Sequence, residues 1–160
     1  RDDALTNIRR GTPEDLLCIV EFQILLAAES EGVSLCRPTV ESGVRQALSG
    51  QAGACYWLIE TDIGEIQGVC MTVPEWSDWR NAFFWWIQSV YVIPKFRRRG
   101  VYKSMHLYVA TEAHRHKNVG GLRLYVDKDN TVAQRVYSSL HMSPTHYDMY
   151  EIEFATRPDR

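Results

Sequence analysis

The stretch from Phe83 to Met105 constrains the fold of this chain more than any other. Its first part is almost entirely apolar and rich in aromatic and β-branched residues, which is typical of a strand buried on both faces. Pro94 cannot donate to a sheet ladder, so we expect the strand to end near Ile93. An amphipathic run begins at Val101. The sequence therefore predicts a strand, a short connection and a helix start, in that order.

The connection is cationic, because Arg97, Arg98 and Arg99 precede Gly100. The first N–H groups of a helix have no partner inside it, and the helix dipole places partial positive charge there. Such an end accommodates a phosphate or pyrophosphate. Three arginines also occur on solvated surfaces and in patches that bind nucleic acid. The order of strand, glycine turn and helix favours the phosphate site, because α/β folds hold phosphorylated ligands at such turns.

Length and composition narrow the classes of protein. The 160 residues predict a single domain over residues 1–160, with a sizeable core. A net charge of −2 argues against a nucleic-acid or membrane-surface partner, and no apolar stretch approaches the ~20 residues of a membrane helix. The cysteines lack metal-ligand spacing, so we expect no metal site and a reduced, cytoplasmic setting. They are Cys18, Cys36, Cys55 and Cys70.

Hydrophobic periodicity predicts an α/β protein with the element order β-α-α-β-β-β-α-β-α-β. A threonine, a proline and two acids open the first helix, and a glycine follows its end. The predicted strands are Leu5–Arg10, Cys55–Glu60, Ile66–Val73, Phe83–Ile93, Leu122–Val126 and Tyr147–Phe154. The predicted helices run from Thr12 to about Ala28, from Pro38 to Ser49, from Val101 to about Lys117, and from Val132 to Leu140. We expect a polar connection over Glu75–Asn81.

Two motifs carry a family resemblance. The run from Arg97 to Tyr102 resembles the acetyl-CoA signature of the GNAT superfamily of N-acetyltransferases: Gln or Arg, two residues, Gly, one residue, then Gly or Ala. The preceding Val90-Tyr91-Val92 and Pro94 resemble the strand ending of that family. Tyr102 departs from the pattern, and its large side chain is expected to point away from the cofactor.

The second motif follows a predicted strand. Asn130, Ala133 and Tyr137 hold the places where the family has an asparagine, an alanine three residues later and a tyrosine four residues after that. Helical spacing puts Ala133 and Tyr137 on one face. The glycine that usually follows in the family is missing, since the chain reads Leu140-His141-Met142.

The resemblance implies a mixed, mostly antiparallel sheet with helices on both faces, and acetyl-CoA as cofactor. It implies direct attack of an amine on the acetyl carbonyl through a tetrahedral intermediate, with Tyr137 protonating the leaving sulfur. Implied cofactor-binding residues are those of the two motifs: Val90, Tyr91, Val92, Arg97, Arg98, Arg99, Gly100, Val101, Tyr102, Asn130 and Ala133.

The sequence identifies neither the acceptor nor the general base. Gln88 stands where many family members place a strand glutamate, and a glutamine cannot take a proton. Base candidates are Glu29, Glu31, Glu75, Asp78, His146 or a water chain. Aromatic faces attract cations, so we expect a small amine acceptor held by aromatic and acidic groups. The predicted substrate-binding residues are Glu29, Glu31, Trp76, Trp79 and Gln88.

Three other interpretations compete with a small-molecule N-acetyltransferase. One is a sensor module that binds acyl-CoA without turnover. Another is a protein or peptide N-acetyltransferase. The third, nucleic-acid binding through the arginines, conflicts with the overall charge. The two loop tryptophans serve ligand contact, cap the core or lie in a homodimer interface.

Overall fold

The computed structural model describes residues 7–51 and 53–154, which divide into one compact unit up to Tyr125 and another from Val126. A single domain over the whole chain stays a prediction. The first unit contains strands β1 Asn7–Arg10, β2 Cys55–Glu60, β3 Ile66–Ser77, β4 Ala82–Val92 and β5 Val119–Arg123, and helices α1 Leu16–Glu31, α2 Arg37–Leu48 and α3 Val101–Arg115. The second contains α4 Thr131–Ser139. Leu5, where the first strand was predicted to begin, lies outside the described residues.

The first unit is built on one five-stranded sheet with the order β1-β2-β3-β4-β5. All neighbours pair antiparallel except β4 and β5, which are parallel. Alternate residues point to opposite faces. Leu58 and Val69 pack with α1 and α2, whereas Trp57 and Cys70 pack with α3. The predicted mixed sheet, mostly antiparallel with helices on both faces, is therefore confirmed.

The start of α1 shows the predicted chemistry. Asp15 accepts a hydrogen bond from the backbone N–H of Thr12 (2.7 Å) and pairs with Arg9 (2.8 Å). A short 3₁₀ turn at Pro13–Asp15 leads into the helix. At the other end Gly32 adopts a left-handed conformation with φ 63°, which closes the helix as glycine commonly does. The helix ends three residues later than the sequence predicts.

The β3–β4 hairpin corrects the predicted polar connection. Strand β3 continues to Ser77 and β4 starts at Ala82, so that only residues 78–81 form the turn. Trp76 pairs with Phe83, and their rings meet edge to face at 4.9 Å. Aromatic cross-strand pairs of this kind stabilise a hairpin. They outweigh the polar residues that suggested a loop.

The last two strand predictions are wrong in part or wholly. Strand β5 lies three residues earlier than predicted, because Gly120 and Gly121 weakened the strand signal. The structure requires the second glycine, since a Cβ there would lie 2.8 Å from Cε1 of Phe84. Residues 147–154, all described, form no strand. Alternation of apolar residues alone does not create a strand, which exists only through hydrogen bonds to a neighbour.

Two features of the described residues bear on the classes of protein considered. No described helix combines the length and the apolar character needed to cross a membrane. Within residues 7–51 and 53–154, no three acidic, histidine or cysteine side chains group together as a metal ion would require. All four cysteines lie in the described ranges and are free thiols.

Candidate active site

Strand β4 carries a bulge near its C-terminal end. Tyr91 lies opposite Val69 and Gln88 opposite Met71, so two residues of β4 face one residue of β3. Ser89 takes up the extra length in a left-handed conformation with φ 52°. This conformation costs a non-glycine residue of the order of 1 kcal/mol, and strain of this kind is common at functional sites. The bulge bends β4 away from a regular ladder.

Beyond the bulge, β4 continues past the point where its pairing with β5 ends. The two strands pair only where Phe83–Trp86 of β4 meets β5. The N–H of Ile93 donates to the carbonyl of Gln67 in the direction of β3 (2.9 Å). Alternation along the strand therefore turns the N–H groups of Val90 and Val92 to the opposite side. Backbone donors aimed away from β3 can bind a polar chain or a carbonyl oxygen.

A loop with two left-handed residues connects β4 to α3. A 3₁₀ turn at Pro94–Phe96 comes first, and then Arg98 (φ 63°) and Gly100 (φ 74°) turn the chain into the helix. Gly100, the N-cap residue of α3, has no side chain with which to cap the helix, and the first intrahelical bond runs from Ser104 N–H to the carbonyl of Gly100. A Cβ at Gly100 would meet no described atom within 4 Å. Its surroundings are therefore open, which suits close approach of an anion.

The three arginines of this loop differ in their contacts. Arg97 donates to Glu29 at the end of α1 (2.7 Å) and to the carbonyl of Val92 (2.9 Å), and it lies over the ring of Tyr91. The hydroxyl of Tyr91 also donates to Glu29 (3.3 Å). Arg97 lowers the pKa of Glu29 by its hydrogen bond, so the carboxylate stays charged. Arg97 therefore ties α1, β4 and the loop together.

Arg98 and Arg99 are exposed and form no ion pair with any residue that the structure describes. Their guanidinium groups are thus available to a phosphate, for which arginine offers a planar fork of donors. The triple arginine consequently divides into one bracing residue and two ligand candidates.

Tyr102 lies on the flank of α3. Its hydroxyl is 3.1 Å from Nδ1 of His106, one turn further along, and the two rings meet edge to face. The ring also packs against the apolar residues between α3 and the sheet. His106 is buried, and burial lowers its pKa. The contact directs the phenol along the helix toward His106.

In the second unit, a hydrogen bond connects Asn130 and Ala133. The side-chain oxygen of Asn130 caps α4 by accepting from the N–H of Ala133 (3.1 Å). Tyr137 lies one turn after Ala133. Burial raises the pKa of Tyr137, so its phenol stays protonated at neutral pH. A protonated phenol is what a donor to a developing thiolate must be.

The predicted acceptor residues lie in different places. Gln88 is beside the bulge, whereas Trp76 and Trp79 lie at the hairpin end, with Trp76 opposite Phe83. The five residue steps from Phe83 to Gln88 correspond to roughly 17 Å of strand. The structure therefore does not bring these tryptophans to the bulge.

The two adjacent tryptophans of β4 face opposite ways, as their alternation requires. Trp85 contacts Trp57 at 6.3 Å on the α3 face, and Trp86 contacts Tyr125 at 6.2 Å. Trp86 therefore shares its face of the sheet with Gln88.

The base candidates are mostly engaged elsewhere. Glu75 pairs with Arg123 (2.7 Å), and Asp78 accepts from the N–H of Trp79 (2.9 Å). His146 stacks on Tyr147 in the second unit. Glu31, the last residue of α1, is exposed. The geometry selects none of these side chains as the base.

Sequence reasoning missed two residues that shape this site. Ser89 provides the left-handed turn of the bulge, yet no local sequence signal marks it, since serine is not a preferred left-handed residue. Gly68 lets β3 approach the bulge, because a Cβ there would lie 2.8 Å from the Tyr91 carbonyl oxygen. A glycine within an apolar strand is a signal of close backbone approach, and it could have been found.

Comparison with known proteins adds to this geometry. A sequence profile of the acetyltransferase (GNAT) family matches residues 22–142. A search of curated proteins finds no match. The structure of a possible acetyltransferase from Clostridium difficile 630 is 36% identical, with a TM-score of 0.87 and coverage of 94% of this chain and 99% of the other.

Two more distant structures share the fold. A predicted acetyltransferase with acetyl-CoA from Clostridium acetobutylicum is 17% identical, with a TM-score of 0.74 and coverage of 92% and 96% of the two chains. Glucosamine-6-phosphate N-acetyltransferase from Arabidopsis thaliana is 19% identical, with a TM-score of 0.69 and coverage of 92% and 97%.

Proposed function

This chain belongs to the acetyltransferase (GNAT) family, and from that premise we propose that it transfers the acetyl group of acetyl-CoA to the primary amine of a small molecule. The observation that carries the proposal is the succession of bulged strand, left-handed loop and uncapped helix end from Gln88 to Val101. It presents backbone donors, together with two arginines that pair with no described acid, in one continuous segment.

The donor fits this segment in two parts. The outward N–H groups of Val90 and Val92 suit the acetyl oxygen and the amides of the pantetheine arm. The backbone of the loop from Arg97 to Tyr102, together with Arg98 and Arg99, suits the pyrophosphate. Acetyl-CoA supplies the activated thioester carbonyl. The open space at Gly100 supports this assignment, because phosphate must approach the backbone closely there.

Tyr137 serves as the proton donor in this proposal. Its raised pKa keeps the phenol protonated, and it would give that proton, or a hydrogen bond, to the sulfur as the C–S bond breaks. The amine forms the new C–N bond and must lose a proton in turn. We assign that proton to water, because Gln88, beside the bulge, has no basic group.

The acceptor is proposed to be a small molecule. A distant relative of the same fold, glucosamine-6-phosphate N-acetyltransferase, has a small-molecule acceptor in its name. The alternative of an acyl-CoA sensor draws on two features: Gln88 stands in place of a carboxylate, and Tyr102 stands where the family usually has glycine or alanine.

An acceptor screen tests the proposal. Purified protein is incubated with acetyl-CoA and, separately, with amino acids, amino sugars, hydrophobic amines, polyamines and short peptides, and thiol release is followed. We expect release of coenzyme A that depends on a small amine. Transfer only to peptide N-termini or lysine side chains would replace the small acceptor with a protein one. Binding of acetyl-CoA without transfer to any amine would favour the sensor.

A further inference from the structure

A groove of about 410 Å³ lies between α1, α2 and the sheet, on the face opposite α3. Its size falls within the usual range for small-molecule pockets, roughly 300–1,000 Å³. It is lined by Gln23, Val40, Gly43, Val44, Ala47, Ala54, Tyr56, Met71 and Val73. None of these side chains carries a charge at neutral pH.

Small residues on α2 create the room. Ala47 is buried, and Gly43 lies one turn before it. A Cβ added at Gly43 would meet no described atom within 4 Å. A glycine in a helix interior costs about 1 kcal/mol relative to alanine. The chain thus keeps a destabilising residue at a place where a larger one could stand without a clash.

Gln23 adds a polar group to this apolar groove. Its Nε2 atom is buried and has no hydrogen-bond partner among the residues that the structure describes. Buried donors in native proteins nearly always have a protein or water acceptor, so a donor without a described partner beside a groove is available to an oxygen of water or of a ligand. The groove therefore combines mostly apolar walls with the amide of Gln23 and the phenol of Tyr56.

The groove lies next to the bulged part of β4. Met71 pairs with Gln88 and Val73 with Trp86, and paired residues of adjacent strands share a face. Adjacent strands are about 4.8 Å apart. A molecule seated over β3 therefore extends to Gln88 across a single strand spacing.

We infer that this groove binds the body of the acceptor, an amine whose body is uncharged and mainly apolar and carries a carbonyl or hydroxyl oxygen. The oxygen accepts from Nε2 of Gln23, the apolar group fills the space beside Gly43, and the amine lies toward Gln88. This inference rests on the proposed function. It excludes polycations such as polyamines from the groove, because a charge buried among these walls would have no partner. It also shifts acceptor recognition away from the tryptophans of the hairpin end.

Binding can be measured without turnover by following the Met71 methyl group in methionine-methyl-labelled protein by NMR. The probes are L-phenylalaninamide, phenethylamine, which lacks the carbonyl, and spermidine. We expect saturable shifts of the Met71 signal with the first two probes and none with spermidine. Gly43→Leu fills the groove and should weaken the binding of both aromatic probes roughly tenfold or more. Gln23→Leu should weaken the binding of L-phenylalaninamide about two- to tenfold and leave the binding of phenethylamine unchanged.

Ser42→Leu is the matched control, because it adds the same side chain at the neighbouring exposed position of α2, which does not line the groove. It should bind both probes as the wild type does, and thermal unfolding confirms that all variants fold. An unshifted Met71 signal, equal binding by Gly43→Leu, or a stronger response to spermidine would overturn the inference. These outcomes are separate from those of the acetyl-transfer assay, because the NMR signal needs no acetyl-CoA.

Discussion

At the scale of single residues, Gly68 sets how closely β3 approaches the bulge of β4. Gly68→Ala would place a Cβ 2.8 Å from the Tyr91 carbonyl oxygen, and a backbone atom cannot move aside by changing rotamer. We expect the free energy of unfolding to fall by about 1–3 kcal/mol in chemical denaturation. Gly43→Ala is the control, and it should gain up to about 1 kcal/mol because its site is open and helical. A loss in both variants would contradict this account.

Tyr137 is the residue to which the proposed chemistry assigns the proton. Tyr137→Phe removes only the hydroxyl, so kcat should fall, typically 10²–10⁴-fold for a general acid, while the Kd of acetyl-CoA stays the same. Steady-state kinetics and a binding titration measure the two effects. Tyr147→Phe, an exposed tyrosine of the same unit, should leave both unchanged. An unaltered kcat in Tyr137→Phe would make the tyrosine a structural residue.

Sequence patterns predicted the order of strand, loop and helix from Phe83 to Val101 better than the backbone geometry within that segment. The strand, the arginine loop and the helix start occur where the apolar run, Pro94 and Gly100 placed them. The bulge at Ser89 could not be predicted, because it depends on the register of β4 against β3 rather than on local preference. The groove was missed for a similar reason, since α1, α2 and β3 meet there only after folding.

At the scale of elements, substitutions in the arginine loop should fall into two groups, one that weakens cofactor binding and one that lowers stability. Arg98→Ala and Arg99→Ala remove exposed cations that pair with no described residue, so each should weaken the binding of acetyl-CoA by about 1 kcal/mol, roughly fivefold in Kd. The effect should diminish at high salt. Arg97→Ala instead breaks the contacts with Glu29 and Val92, and its main effect should be a lower melting temperature. Calorimetry at two salt concentrations, together with thermal unfolding, separates the two effects. Equal Kd changes in all three variants would contradict the division.

The buried His106 of helix α3 should make the protein less stable in mild acid than at neutral pH. Burial lowers the pKa of His106 below its ordinary 6.5, so the folded state binds fewer protons than the unfolded state in this range. The stabilisation is therefore complete above pH 6.5 and is lost as the pH falls through 6.5 toward the folded pKa. Urea denaturation between pH 7.5 and 5.5 measures this loss, which should be smaller in His106→Gln. Parallel losses in the variant and the wild type would show that other groups cause it.

At the scale of the whole molecule, sequence periodicity predicted the fold class and most elements, but not the two ends of the sheet. The position of strand β5 was predicted three residues too late, because glycines lower strand propensity. The packing of Phe84 requires a glycine there. The predicted strand at residues 147–154 failed because alternation does not specify a pairing partner. Both errors concern long-range pairing, which a local pattern does not encode.

Calorimetric titration of acetyl-CoA tests the central claim, that the segment from the β4 bulge to the start of α3 holds the donor. We predict saturable binding by the wild type. Gly100→Val should lose most of it, because a branched residue is strained at φ 74° and its side chain would fill the open space. Gly64→Val, with similar strain at φ 84° in the β2–β3 turn, should bind as the wild type does. No detectable binding by the wild type at millimolar acetyl-CoA, or equal binding by Gly100→Val, would contradict the claim.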